Sequence, residues 1–136
     1  METKSSDPVR EIHSHKLNFL NDAISIASED IPQGLAPRVY VMTVNQRLPG
    51  VVLDAVEPLQ EVVIRFQDGN PKFKITGFTN EALLAIVADR LTCFNNGPFK
   101  SRENAIALTK IEEAMLWLMK RTLGREARGV EGEKIP

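Results

Sequence analysis

The hydrophobic pattern of this 136-residue chain changes its period near residue 78. Before that point the apolar residues alternate with polar ones or form short β-branched runs, as strands do. After it they recur every three or four residues, as in amphipathic helices. Because the strands precede the helices instead of alternating with them, we predict an α+β fold: a small N-terminal antiparallel β-sheet domain followed by a C-terminal antiparallel helical hairpin.

Strands are predicted where alternation or β-branched content is strongest, at Ala23–Ala27, Arg38–Val44 and Glu61–Phe66. Val51–Leu53 is a candidate short strand, and Pro58 predicts a connection around itself. Residues 68–71 have the composition of a turn. Phe73 and Ile75 alternate with polar residues, so they either pair with the last strand or lead into the helices.

Each predicted helix has a start signal and a stop signal. The first is expected to begin after an N-cap at Thr79 and to end before Gly97-Pro98. The second is expected to begin after Ser101 and to run to about Arg128, with Gly129 as its stop. The predicted apolar stripe of the first helix is Leu83, Val87, Leu91 and Phe94. The predicted seam of the second is Leu108, Ile111, Met115 and Leu118.

The domains predicted from this pattern are an N-terminal arm (1–16), a β-domain (17–77), a helical hairpin (78–130) and a C-terminal tail (131–136). A sheet of a few short strands with two helices offers a thin core. The second helix carries further apolar residues away from its seam, namely Ile106, Trp117, Met119 and Leu123. One partner helix cannot cover them all, so we expect self-association.

Charge and composition argue against several classes of function. Seventeen basic and eighteen acidic residues leave a net charge of -1, without the basic excess of a general nucleic-acid coat or a polybasic membrane binder. The single cysteine, Cys93, excludes an internal disulfide and fits a reducing compartment. No apolar run approaches the roughly 20 residues of a membrane span, and the N-terminus lacks a signal-peptide core. We expect an intracellular soluble protein without a membrane or DNA partner.

No catalytic or metal-binding constellation is visible. His13 and His15 could offer two imidazoles to a metal, but no third ligand is near, so a solvated tail is the preferred interpretation. Cys93 has no neighbouring histidine in the sequence and is a poor candidate nucleophile. Gly124 and Gly129 have the wrong spacing for a phosphate-binding loop. We therefore expect no enzyme, no metal and no cofactor.

The end of the second helix carries a cluster of cations. Arg121, Arg125 and Arg128 share, with Trp117, a stripe about 80° wide on the helix. Guanidinium groups bind phosphate bidentately and stack on planar rings, so this stripe fits a phosphate-binding surface. The alternative is a solvated helix end whose cations offset the helix dipole.

Asn104 interrupts the predicted seam one step before Leu108, where an apolar residue is expected. One interpretation is a hydrogen bond to the hairpin loop, and another is a polar residue that sets the register. The third is a ligand contact at the hairpin tip, close to Phe94 across the loop.

Several segments resemble a known family. The helical part resembles the hairpin of phage-encoded anti-defence sponges at residues 79–87, 96–99, 101–105 and 125–132. An all-helical anti-CBASS sponge and the first-described Thoeris anti-defence sponge share this hairpin, and the Thoeris sponge adds an N-terminal β-domain. Segments that look like that β-domain are residues 23–26, 38–41 and 63–69, although residues 71–74 depart from its usual pattern. The Thoeris group is therefore the better match.

The resemblance implies a binding protein in the host bacterial cytoplasm that does not catalyse a reaction. The family sequesters cyclic ADP-ribose isomers made by TIR-domain defence proteins, some members also hold cyclic trinucleotides at a separate site, and the assembly it suggests is a hexamer. By the same resemblance, Phe94 stacks on the ligand and Asn104 hydrogen-bonds to it, while Arg121 and Arg125 contact its pyrophosphate or ribose edges. Arg102 and Arg128 also fit the hairpin motif as lesser ligand contacts.

Helix geometry adds a constraint that is independent of the family. Asn104 and Arg121 are seventeen residues apart on one predicted helix, or about 25 Å. A dinucleotide-sized ligand is much smaller, so both residues can reach it only if an antiparallel second copy supplies one of them. Two rival functions remain open: a nucleic-acid- or protein-binding hairpin that uses the same arginines, and an enzyme that hydrolyses the nucleotide.

Overall fold

The computed structural model describes residues 10–29, 31, 35–45 and 58–129 of the chain. The chain divides into two compact units, Met1–Arg65 and Phe66–Pro136. The first contains an antiparallel sheet and the second a pair of helices, which confirms the predicted α+β fold. The division lies between Arg65 and Phe66, whereas the sequence places the start of the hairpin at residue 78.

The first unit is built on a four-stranded antiparallel sheet in which the strands lie in chain order. Its strands are β1 (Arg10–Ile12), β2 (Ile24–Ser28), β3 (Val39–Asn45) and β4 (Pro58–Arg65). A single helical turn, α1 (Phe19–Asp22), precedes β2. β2, β3 and β4 overlap the three predicted strands, as expected from their β-branched content.

The segment at residues 10–16, predicted as part of an arm, is tied to the sheet. β1 pairs with β2, and the Arg10 guanidinium donates from Nη1 to Ser28 Oγ at 2.9 Å. His15 Nε2 donates to the carbonyl of Ile24 at 2.6 Å. The prediction of a solvated tail is therefore wrong for His15, because a hydrogen bond to a distant strand leaves no trace in local composition.

Pro58 begins β4 instead of marking a connection. It pairs with Asn45 just beyond a shift in the register between β3 and β4. Proline is tolerated as the first residue of a strand, where its missing N–H leaves no gap in the ladder. The candidate strand Val51–Leu53 lies outside the described residues.

The second unit contains α2 (Asn80–Asn95) and α3 (Arg102–Ala127), which pack against each other as the predicted hairpin. Both predicted N-caps are confirmed, because the hydroxyls of Thr79 and Ser101 accept hydrogen bonds from the backbone N–H three residues further on. Beyond α3, Gly129 adopts a φ of 74°, the left-handed conformation expected of a helix stop.

Residues 66–79 form a compact loop ahead of α2. The Gln67 side chain organises it: Nε2 donates to the carbonyl of Lys74 at 2.9 Å, and Oε1 accepts from the backbone N–H of Thr76 at 2.9 Å. Phe73 and Ile75 are consequently in a turn and a loop, where their side chains are strongly exposed. They neither extend β4 nor lead directly into α2.

The face that α2 buries differs from its predicted stripe. The half-buried residues along its seam are Leu84, Ala88, Leu91 and Asn95, and Leu83 of the predicted stripe is half-buried as well. That face is rotated roughly 70° from the predicted stripe, so Val87 and Phe94 lie on its flank and remain 43% and 38% exposed. The predicted seam of α3 is half-buried throughout, as expected.

Much apolar surface stays uncovered in the described part of a single chain. On α3, large side chains between 55% and 65% exposed are Leu116, Trp117, Met119 and Leu123. None of the helices described is long and apolar enough to cross a membrane.

Candidate functional site

The C-terminal part of α3 projects beyond its partner helix. α3 has 26 residues and α2 has 16, a difference that corresponds to about 15 Å of helix. The predicted cations Arg121 and Arg125 lie in that last part, and Arg128 is the C-cap residue. Because α2 is too short to accompany them, the surface here is not shaped by the hairpin seam alone.

These cations surround an open cleft with a volume of about 480 Å³. Its lining residues in the described part of the chain are Trp117, Lys120, Arg121, Gly124, Arg125 and Arg128, and we call it the arginine cleft. A volume between roughly 300 and 1,000 Å³ is usual for small-molecule sites. The structure thus brings together three of the six predicted site residues along one open face of α3.

The three arginines are not equivalent. Arg121 and Arg128 are exposed, whereas Arg125 is only 5% exposed. Arg125 falls on the seam of α3, twenty-one residues or three heptads after Asn104. Its aliphatic stem is therefore packed, and the direction of its guanidinium is more restricted than that of its neighbours.

One wall of the arginine cleft is aromatic. Lys120 Nζ lies 5.1 Å from the centroid of the Trp117 ring, which is a cation–π contact. The Trp117 side chain is nevertheless 61% exposed, because Lys120 covers only part of it. A planar surface therefore stands beside a group of positive charges.

The other predicted site residues gather at the loop end of the hairpin. Phe94 is in the last turn of α2, and Arg102 and Asn104 are in the first turn of α3. The guanidinium of Arg90 sits over the Phe94 ring at 5.5 Å from its centroid. Part of the Phe94 ring remains exposed. The loop end of the hairpin therefore presents an aromatic ring, just as the arginine cleft presents Trp117.

The seam is polar where the two helices meet the loop. Asn104 is half-buried on α3, and its backbone N–H donates to Ser101 Oγ at 3.0 Å. On α2 the side-chain oxygen of Asn95 is buried without a hydrogen-bond partner among the described groups. Two amides thus replace the apolar layer, which keeps open both a register role and a ligand role for Asn104.

One chain does not bring the two groups together. Asn104 and Arg121 lie on the same uninterrupted helix, and seventeen residues of α-helix separate them by about 25 Å. The loop end therefore offers a ring and an amide, whereas the arginine cleft offers cations and a second ring. Within one chain these two groups remain about 25 Å apart.

Three residues with a part in these two groups escape prediction as site residues. Arg90 is four residues before Phe94, and Lys120 is three residues after Trp117, spacings at which side chains meet on a helix. That signal could have identified both. Gly124 has no such signal, because a glycine within a helix does not reveal that it faces a cleft.

The described residues form no metal-binding cluster. Within the described ranges, no cluster of three or more His, Cys, Asp or Glu side chains could hold a metal ion. Cys93 is a free, exposed thiol on α2.

The sequence of the hairpin matches a known protein family. Residues 58–123 match the family described as "Acb2/Tad1, hairpin domain". This part of the chain is thus similar to the Acb2/Tad1 hairpin domain, which confirms the predicted resemblance to phage anti-defence sponges. The match ends inside the arginine cleft, between Arg121 and Gly124.

A curated relative carries a more specific name. The chain is similar to "Thoeris anti-defense 1" of Bacillus phage SBSphiJ7, with 59% identity over 56 residues. The aligned segment covers 41% of this chain and 39% of the relative. The chain thus spans about two fifths of the length of the curated relative that it matches.

Proposed function

We propose that the protein binds and sequesters cyclic ADP-ribose isomers made by TIR-domain immune proteins, without cleaving them, and so blocks Thoeris immunity in the host bacterial cytoplasm. The observation that carries this proposal is the arginine cleft, where Arg121, Arg125 and Arg128 meet an exposed aromatic ring. The hairpin family and the name of the relative support the same function.

The chemistry of the arginine cleft suits a pyrophosphate. Guanidinium forks donate two parallel hydrogen bonds to phosphate oxygens, each charge-assisted bond contributing about 1.5–3 kcal/mol. Stacking of a base on an aromatic ring adds about 1–3 kcal/mol. A few such contacts on preorganised helices approach the roughly 12 kcal/mol of nanomolar binding, which is what sequestration of a scarce signal requires.

The complete site is proposed to be shared by two copies of the chain. In an antiparallel dimer, the loop end of one copy (Phe94, Asn104, with Arg102 beside them) faces Arg121 and Arg125 of the other. A two-fold axis then generates two equivalent pockets. The exposed apolar residues of α3 provide surface for such an assembly, and hexamers would be built from these dimers.

The direct test is to incubate the protein with a purified cyclic ADP-ribose isomer, remove free ligand, denature the protein by heat and analyse what is released. We expect intact ligand in the supernatant. Arg121→Ala should release little, whereas Lys110→Ala, which removes an exposed cation from the same helix outside the cleft, should release as much as the unaltered protein.

The other outcomes identify the rival functions. A linear product would show an enzyme, and no uptake of the isomer would reject the sponge. A parallel incubation with a cyclic trinucleotide tests whether the protein also holds this second class of ligand and could act against CBASS. If uptake fails and the protein instead retards DNA or RNA, the hairpin is a nucleic-acid-binding module.

A further inference from the structure

The cleft face of α3 contains a glycine in the last turn of the helix. Gly124 lies three residues before Ala127, the last residue of α3, and glycine is a poorer helix former than alanine. A Cβ added at Gly124 would meet no atom within 4 Å. A side chain at this position would therefore not clash with the rest of the protein, so steric crowding does not explain why residue 124 is a glycine.

The location of Gly124 in the arginine cleft offers another explanation. It lies seven residues after Trp117, on the same face of α3 two turns further on, and both residues line the arginine cleft. Without a side chain at this position, the helix backbone is the floor of the cleft beside the Trp117 ring. Arg121 and Arg128 are exposed around that backbone, and the buried Arg125 also lines the cleft.

The Trp117 side chain lines the cleft beside this exposed stretch of backbone. Lys120 contacts the ring at 5.1 Å, yet 61% of the residue remains exposed. An exposed indole costs hydrophobic free energy unless a partner covers it, and the exposed Arg121 and Arg128 place positive charge beside this ring. A flat, polar, negatively charged molecule is the partner that satisfies both the ring and the arginines.

We propose that Trp117 and Gly124 form a base-stacking subsite, in which a nucleobase packs on the indole and over the bare backbone while the arginines hold the attached phosphates. This inference rests on the proposed function and adds to it the part of the ligand that the cleft recognises. It requires a planar base next to the phosphates, so a ribose phosphate without a base would fill the cleft only partly.

The sole tryptophan of the chain makes the proposal measurable. Titration of a cyclic ADP-ribose isomer should quench Trp117 fluorescence with the same midpoint as calorimetric binding. The matched control is Trp117→Phe, which keeps a ring but removes the indole: calorimetric binding should persist while the ligand-dependent change in emission is lost.

Variants separate stacking from folding. Trp117→Leu should weaken binding roughly 5- to 100-fold, whereas Trp117→Phe, which keeps a ring, should retain most of the affinity. Gly124→Leu should abolish tight binding because its side chain occupies the floor. The same substitution should raise the thermal midpoint, since leucine is the better helix former and Gly124 has open space around it.

The results that overturn the subsite differ from those that overturn the sponge. If the isomer binds by calorimetry while Trp117 emission is unchanged and Trp117→Leu or Gly124→Leu binds normally, the subsite is rejected and sequestration stands. If calorimetry detects no binding of the isomer to the unaltered protein, the proposed function and the subsite both fail.

Discussion

Arg121 and Arg125 are one helical turn apart, but their surroundings differ sharply. Arg121 is exposed at the arginine cleft. Arg125 is 5% exposed, so most of its side chain is packed. The proposed binding role is therefore independent of packing for Arg121, whereas for Arg125 it is combined with a contribution to stability.

We therefore expect Arg121→Ala and Arg125→Ala to differ in their effect on the free energy of unfolding, measured by urea denaturation. Arg121→Ala should change the free energy of unfolding by no more than about 0.5 kcal/mol, as is usual for surface positions. Arg125→Ala should lower it by about 1–3 kcal/mol, because the packing of its side chain is lost. Calorimetry should show affinity for a cyclic ADP-ribose isomer reduced roughly ten- to a hundred-fold in both. Equal stabilities would contradict the packed role of Arg125.

At the scale of the element, α3 combines two tasks. It supplies the seam that packs on α2, and it carries predicted site residues near both of its ends. The Ser101 cap links these tasks, because its hydroxyl accepts from the backbone N–H of Asn104 at 3.0 Å. Loss of the cap should both fray the first turn and release a predicted ligand contact.

Ser101→Ala should accordingly lower the free energy of unfolding by about 0.5–2 kcal/mol. It should also weaken ligand binding, since Asn104 is then held less firmly. Ser101→Asp supplies the control, because aspartate also caps helices and should preserve both properties. Chemical denaturation and calorimetry on the three proteins test this. A Ser101→Ala protein with normal affinity would show that ligand binding does not depend on the order of the first turn.

At the scale of the whole molecule, apolar exposure and helix length both favour more than one copy. The uncovered face of α3 includes Leu116, Met119 and Leu123, spaced by three and four residues as in a second seam. The span of about 25 Å between Asn104 and Arg121 adds a functional reason, since one ligand cannot bridge it within a chain. Light scattering that shows a 15.2 kDa monomer at micromolar concentration would remove the shared pocket.

Mixing two inactive variants is the sharpest test of that shared pocket. Asn104→Ala and Arg121→Ala should each lose tight binding and remain folded. In a mixed dimer one pocket carries both lesions and the other carries neither, so random exchange should make about half the dimers mixed and restore about a quarter of all pockets. Calorimetric stoichiometry after subunit exchange measures this fraction. Exchange without recovery of any tight site would mean that the two residues do not act across subunits.

Some features of the protein follow from residues close together in the chain. The change of period near residue 78 predicts strands followed by helices, and Thr79, Ser101 and Gly129 predict where the helices begin and end. These features depend on local backbone preferences and on hydrogen bonds between residues three or four apart, so they can be predicted without a partner element. The clustering of arginines on one helix face follows from the same periodicity.

Other features depend on which distant surface each residue meets. Only the tertiary structure decided that α2 buries Asn95 instead of Phe94, that Arg125 is packed while Arg121 is exposed, and that His15 bonds to a strand. The structure likewise shows that Gly124 lines the arginine cleft and has open space around it, which its sequence position does not reveal. Burial is a property of two surfaces in contact, and a rotation of one helix by less than a quarter turn changes which residues it conceals while leaving its sequence pattern intact.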